Sequence, residues 1–129
     1  ISMKVNIDLC RLILLKIEES SGYEIFDMEI ENYNLEEIAY NSKRLEDENL
    51  ITHTTIKYSE GEIYIFNVGS LTLEGQKFLN KIRDEKFFRK IKNEFVRIGK
   101  SITLEAFKNI VLNKLYSYGE DFIQHYDYF

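Results

Sequence analysis

The chain has 129 residues, 44% of them hydrophobic, with one cysteine, no proline and a formal net charge of −5. This hydrophobic content excludes a disordered chain, and the acidic balance argues against indiscriminate binding to nucleic acid. No stretch approaches the roughly 18 apolar residues of a membrane span, and a lone cysteine indicates a reducing, cytoplasmic setting. We expect a single domain over residues 3–129, with Met3 as the natural start and Ile1-Ser2 as an addition ahead of it.

Charge is distributed unevenly along the chain. Between Glu18 and Leu50 eleven acids stand against two bases, whereas between Gln76 and Lys100 nine bases stand against three acids. One interpretation is structural: the two regions attract each other within the fold, or both face solvent. The other is functional: the basic region contacts a polyanion or an acidic protein.

The first predicted element is a helix that Asn6 caps and that continues to about Glu19. Apolar residues cover much of its surface, which indicates a central, largely buried helix with Cys10 as a small core residue. Residues 23–31 alternate imperfectly between apolar and polar, a pattern that predicts a short strand or an irregular segment.

A second helix and a hairpin follow. Asn34 caps the helix and Glu37 completes a capping-box pattern, so the helix occupies residues 34–49. Residues 51–69 are rich in threonine, isoleucine and aromatic residues and are interrupted at Glu60-Gly61, which predicts a β-hairpin.

A third helix begins at Ser70 or Thr72 and carries Leu73 and Phe78 on its inner face. The next apolar set along the chain would point in a different direction if the helix stayed straight. We therefore expect a break near Arg83–Glu85.

Two more helices complete the predicted order. Asp84 caps the fourth, which ends at Gly99, and Ser101 or Thr103 caps the fifth. The predicted fold class is α+β and mostly α. Its core of helix, short strand, helix and hairpin wing is winged-helix-like and is followed by C-terminal helices.

Three segments carry a resemblance to a known family. They are the opening helix Asp8–Glu19, the stretch Glu36–Ile51, and the motif LTLEGQKFLNKIRDEKFF at Leu71–Phe88. Over roughly Met3–Ser117 the chain resembles the domain of unknown function DUF2513. The resemblance implies a winged-helix-like fold and a phage or prophage context, but no established activity.

The chain departs from the family pattern at two positions of its most specific motif. Leu73 stands where the family usually has tryptophan, and Gln76 where it usually has histidine. These departures argue against a site built on those two family residues in this chain.

The sequence predicts no catalytic, cofactor or metal site. His53 and His125 lie far apart along the chain and Cys10 lies in an apolar helix, so no zinc-like spacing occurs. No serine has the setting of a hydrolase nucleophile and no glycine-rich phosphate loop is present. We therefore expect a protein that is not an enzyme.

The helix at 34–49 is compatible with two functional hypotheses. In a winged helix it would read DNA, and its expected contacts are Tyr40, Asn41, Lys43 and Arg44. The same helix carries acids that would repel phosphates and that suit a protein partner instead: Glu36, Glu37, Glu46, Asp47 and Glu48.

Two further surfaces are predicted toward the C-terminus. A basic stripe with helical spacing comprises Arg83, Lys86, Lys90 and Arg97, and it is either a solvated face or a site for a nucleic-acid backbone or an acidic protein. An aromatic tail near the C-terminus carries Phe122, Tyr126, Tyr128 and Phe129. It either packs on its own domain or forms an interface with a partner, which could be a second copy of the chain in a homodimer.

The preferred functional hypothesis is a non-catalytic, phage-type interaction protein that binds a host macromolecule. Small acidic proteins can block a nucleic-acid-binding enzyme by placing carboxylates where the nucleic acid would lie, so a host defence nuclease is the expected kind of partner. The alternative is a winged-helix transcriptional regulator that binds DNA through the helix at 34–49.

Overall fold

A computed structural model of the chain describes residues 3–97, 99 and 101–113. The helices and strands, in chain order, are α1 Ile7–Glu19, β1 Ile25–Phe26, α2 Leu35–Asp47, β2 Thr54–Ser59, β3 Glu62–Val68, α3 Leu73–Ile82 and α4 Glu85–Arg97. Residues 104–113 are also helical, and we call this stretch α5. The expected α+β, mostly α class, with a winged-helix-like order of elements, is confirmed.

The chain divides into two compact units, Ile1–Leu79 and Asn80–Phe129, and the boundary between them falls within α3. In the part of the chain that the structure describes, no helix combines the length and the apolar character needed to cross a membrane.

Side-chain caps fix where α1 and α2 begin. The side chain of Asn6 accepts a hydrogen bond from the backbone N–H of Leu9 over 3.0 Å. At the start of α2, Asn34 Oδ1 accepts from the N–H of Glu37 and the Glu37 carboxylate accepts from the N–H of Asn34. Both predicted caps are confirmed, because capping depends only on residues three positions apart.

The core of the first unit surrounds α1, as predicted. Its fully buried members come from α1, α2, the segment between α2 and β2, the hairpin and α3. The largest are Leu9, Ile13, Leu14, Ile17, Ile38, Leu45, Leu50, Ile51, Phe66 and Phe78.

The sheet is antiparallel with strand order β1-β3-β2. Glu60 and Gly61 connect β2 to β3 with φ values of 53° and 82°, the left-handed pair expected of a two-residue hairpin turn. The strand predicted within 23–31 shrinks to two residues, paired as Ile25 with Val68 and Phe26 with Asn67.

The most specific sequence motif connects α3 to the chain that leaves α2. The Thr72 hydroxyl donates to the backbone oxygen of Asn49 over 2.7 Å and accepts from the N–H of Gly75 over 2.9 Å. A Cβ on Gly75 would fall inside contact distance of the Leu50 carbonyl oxygen, so only glycine fits there. Leu73 is 75% exposed, so its expected place on the inner face of α3 is wrong.

The second unit contains α4 and α5. The break after α3 is confirmed, and Asp84 caps α4 by accepting from the N–H of Lys86 over 2.8 Å. Phe107 of α5 lies between two rings of α4, with centroids 5.6 Å from Phe88 and 6.1 Å from Phe95. These aromatic contacts form the core of this unit.

Candidate functional site

Asn41 belongs to the interior and not to the outer face of α2. It is 1% exposed, and its Oδ1 accepts a hydrogen bond from the backbone N–H of Asn6 over 2.8 Å. Its Nδ2 donates to the carbonyl oxygen of Glu37 over 2.9 Å. Its expected place on the outer face of α2 is therefore wrong, because the side chain is enclosed and its hydrogen bonds are used within the fold.

The two cations of α2 pair with acids of the same helix. Lys43 Nζ lies 3.3 Å from Glu46 and 3.8 Å from Asp47. An Arg44 nitrogen lies 2.8 Å from Asp47, and its guanidinium carbon lies 5.0 Å from the ring centre of Tyr40. Any phosphate that approached these cations would have to compete with the carboxylates beside them.

The five acids expected to form a partner-binding surface divide into groups. Glu37 is used in the capping box, and Glu46 accepts from the backbone N–H of Thr54 over 2.9 Å in addition to its contact with Lys43. Asp47 is paired with Arg44, and Glu48 is half-buried and is not without a partner. Glu36 is exposed and has no side-chain partner in the described part of the chain.

Unpaired carboxylates are concentrated instead just before α2. Asp27, Glu29 and Glu31 are all exposed, and within the ranges that the structure describes none of their side chains has a hydrogen bond or ion pair. With Glu36 they place four such carboxylates within ten residues of chain. This region is therefore an acidic surface whose charge no other side chain of the described residues neutralises.

Asp27, Glu29 and Glu31 border a groove of about 570 Å³ between the segment after β1 and the start of α2. Buried Met28 and Ile38 form its floor, and half-buried Ile30 and Leu35 form its sides. The groove therefore combines an apolar interior with an acidic border, and we call it the 27–38 groove. Its lining residues are Asp27, Met28, Glu29, Ile30, Glu31, Tyr33, Leu35 and Ile38.

The segment that borders the groove is held at both ends. The N–H of Asp27 donates to the carbonyl oxygen of Phe66 over 2.9 Å, and that of Tyr33 donates to Ile30 over 3.2 Å. Asp27 and Asn32 have φ values of 51° and 76°, in the left-handed region that Asp and Asn tolerate better than most residues. Strict alternation of acidic and apolar residues from 27 to 31 was the available sequence signal for this surface.

A second polar network joins the start of β1 to the base of the hairpin. His53 Nε2 lies 3.1 Å from one carboxylate oxygen of Glu24, whose other oxygen accepts from Nδ2 of the buried Asn67. Thr52 Oγ1 lies 3.3 Å from His53 Nδ1 and accepts from the N–H of Ser70. These contacts hold the base of the hairpin to the segment before β1. They could not be predicted from the sequence, because Glu24 lies 29 positions from His53 and 43 from Asn67.

The basic stripe lies in the second unit. Arg83, Lys86, Lys90 and Arg97 are all exposed, as amphipathic spacing requires. Lys86, Lys90 and Arg97 line a shallow cavity of about 820 Å³ that Glu85 and Glu94 also border. Its expected role as a site for a polyanion or an acidic protein stays a prediction.

Two other expected features have different outcomes. Cys10 is confirmed as a core residue, and burial raises the pKa of its thiol to about 12. The aromatic tail formed by Phe122, Tyr126, Tyr128 and Phe129 lies outside the described residues. Across residues 3–97, 99 and 101–113, no group of three or more histidine, cysteine and acidic side chains is placed to hold a metal ion.

Comparison with known proteins identifies the family. The model of the family described as "Hypothetical protein (DUF2513)" matches residues 4–103, and the chain belongs to this family. Neither a curated protein nor a solved structure matches the chain.

Proposed function

We propose that this DUF2513 member is a non-catalytic protein of phage or prophage type that binds a basic surface on a host protein in the cytoplasm. By covering that surface with carboxylates, it would keep nucleic acid away from the partner. A nucleic-acid-binding enzyme of host defence, such as a nuclease, is the proposed kind of partner.

One observation carries this proposal: the distribution of unpaired charge around α2. Four exposed carboxylates at positions 27, 29, 31 and 36 have no side-chain partner in the described part of the chain, whereas Lys43 and Arg44 are paired within α2. Such a surface attracts cationic proteins and repels phosphates, and it acts most strongly on the rate of association.

The same contacts disfavour DNA binding through α2. Asn41 is buried, and Arg44 shares Asp47 with Lys43, so three of the four expected DNA contacts are engaged within the fold. Binding of DNA by this helix is therefore the alternative hypothesis, and the experiment described below distinguishes it from the proposal.

The test is capture of host proteins on the immobilised full chain, followed by quantitative mass spectrometry. We expect basic nucleic-acid-binding proteins to be retained at about 0.1 M salt and released as salt screens the charges. Retention should fall in the Glu29→Gln/Glu31→Gln variant. It should persist in Glu19→Gln/Glu105→Gln, which removes the same charge from exposed positions on α1 and α5.

A functional readout follows for each captured protein. Adding the chain should release nucleic acid from that protein in an electrophoretic shift. The proposal is wrong if capture is insensitive to Glu29 and Glu31. It is also wrong if the chain itself shifts DNA selectively and loses this ability in Arg44→Ala, which would establish the regulator instead.

A further inference from the structure

We propose that the 27–38 groove binds one apolar anchor residue carried on a basic segment of the partner, an inference that rests on the proposed function. The acidic border would hold lysine or arginine residues on either side of the anchor. The apolar interior would receive the anchor side chain itself.

The interior of the groove is suited to an apolar group. Met28 is 3% and Ile38 1% exposed, so the floor is already part of the hydrophobic core. Ile30 and Leu35 are half-buried, and a side chain bound in the groove that they line would remove part of their remaining apolar surface from water. A volume of about 570 Å³ is comparable to that of ligand pockets, which generally span about 300–1,000 Å³.

The border selects the charge of the occupant. Asp27, Glu29 and Glu31 line the groove together with Met28 and Ile30, the apolar residues that alternate with them along the chain. Within the described ranges none of the three has a side-chain partner to neutralise it. An acidic or neutral segment would leave these carboxylates without a partner, whereas a basic one would pair with them.

The groove is built before any partner binds. The hydrogen bonds from Asp27 to Phe66 and from Tyr33 to Ile30 hold the backbone of the border, and the capping box of Asn34 and Glu37 fixes the start of α2. A preformed site loses little conformational entropy on binding, so an anchor side chain can contribute most of its transfer free energy.

The experiment uses the full chain and two fluorescent synthetic peptides made of lysine, serine and glycine. One peptide has a leucine at its centre and the other has serine there. We expect the leucine peptide to bind about tenfold more tightly, because burying one leucine contributes on the order of one such factor or more. Fluorescence anisotropy at fixed salt measures both affinities.

Variants separate the anchor from the charge. Ile30→Ala and, independently, Leu35→Ala should reduce the advantage of the leucine peptide and leave the serine peptide unchanged. Glu29→Gln/Glu31→Gln should weaken both peptides alike. Val96→Ala, at an apolar residue of α4 that is 68% exposed, is the matched control and should change neither.

Each contrary outcome has a defined meaning. Equal affinity of the two peptides, with both dependent on Glu29 and Glu31, overturns the anchor while the proposed function stands. Absence of binding by either peptide overturns the groove as a site for basic segments. Self-association of the chain that Ile30→Ala abolishes would show that a second copy occupies the groove and would also overturn the inference.

Discussion

The backbone N–H of Asn6 donates a hydrogen bond to Oδ1 of Asn41 over 2.8 Å, and so connects the cap of α1 to the middle of α2. Asn6 thus has two roles, since its own side chain accepts from Leu9 while its N–H is satisfied by α2. This hydrogen bond joins α1 to α2 through the buried side chain of Asn41.

Replacing this amide should destabilise the fold. We expect Asn41→Ala to lower the free energy of unfolding by about 1–3 kcal/mol, because it leaves the partly buried N–H of Asn6 without its acceptor. Urea denaturation followed by circular dichroism measures the change. Asn93→Ala, an exposed position on α4, is the control and should stay within about 0.5 kcal/mol of the parent chain.

The tight contact at Gly75 makes a second prediction. Gly75→Ala should destabilise the chain by about 1–3 kcal/mol despite the better helix propensity of alanine, because the new methyl group would overlap the Leu50 carbonyl. Leu73→Ala, at an exposed position in the same helical turn, should have little effect. If thermal unfolding showed Gly75→Ala to be stabilising, the close approach of α3 to Leu50 would be refuted.

The hairpin turn can be improved. Glu60 adopts a φ of 53°, which asparagine tolerates better than glutamate does, and Gly61 already suits the second position. Glu60→Asn should therefore raise the free energy of unfolding by about 0.5 kcal/mol or more. Gly61→Ala should lower it, and the opposite order of the two variants in a denaturation series would contradict the turn type.

The single thiol reports on global unfolding. Burial raises the pKa of Cys10 to about 12 from an ordinary value of 9.0, so the native thiol stays protonated and enclosed at pH 8. We expect a thiol reagent to label Cys10 at a rate set by opening of the chain, and to label it at once in urea.

The same shift predicts a dependence of stability on pH. Because the thiol pKa is higher in the folded than in the unfolded state, its contribution is fully present below about pH 9. It is lost as pH rises toward 12, at up to about 1.4 kcal/mol per pH unit. Cys10→Ala should lack this component, and an unchanged slope in that variant would contradict it.

Local signals explain what the sequence predicted well. The caps at Asn6, Asn34 and Asp84 act on N–H groups two or three positions away, and the Glu60-Gly61 turn is defined by adjacent residues. Their geometry therefore depends little on distant parts of the chain, and the element order could be derived from them.

Long-range packing explains what the sequence did not predict. Asn41 stands three residues after Ile38 and four before Leu45, which places it on the buried face. Its polar amide side chain suggested the outer face. The N–H of Asn6, which satisfies this amide in the interior, lies 35 positions away along the chain. Leu73 is the opposite case, an apolar residue that is exposed. Gly75 and not Leu73 lies on the inner face of α3 together with Phe78.

The candidate site shows both effects. The alternation of acids and apolar residues at 27–31 is visible in the sequence, so a one-sided acidic segment could have been predicted. The groove itself depends on Leu35 and Ile38 from the next helix, and no local pattern shows that these side chains leave a space.

Asp47 contacts both cations of α2, at 2.8 Å from Arg44 and 3.8 Å from Lys43. One nucleotide change that converts this aspartate to asparagine would release the guanidinium and leave Lys43 with Glu46 alone. The cations of α2 would then be more accessible to phosphates, while the four carboxylates at positions 27, 29, 31 and 36 would keep their charge.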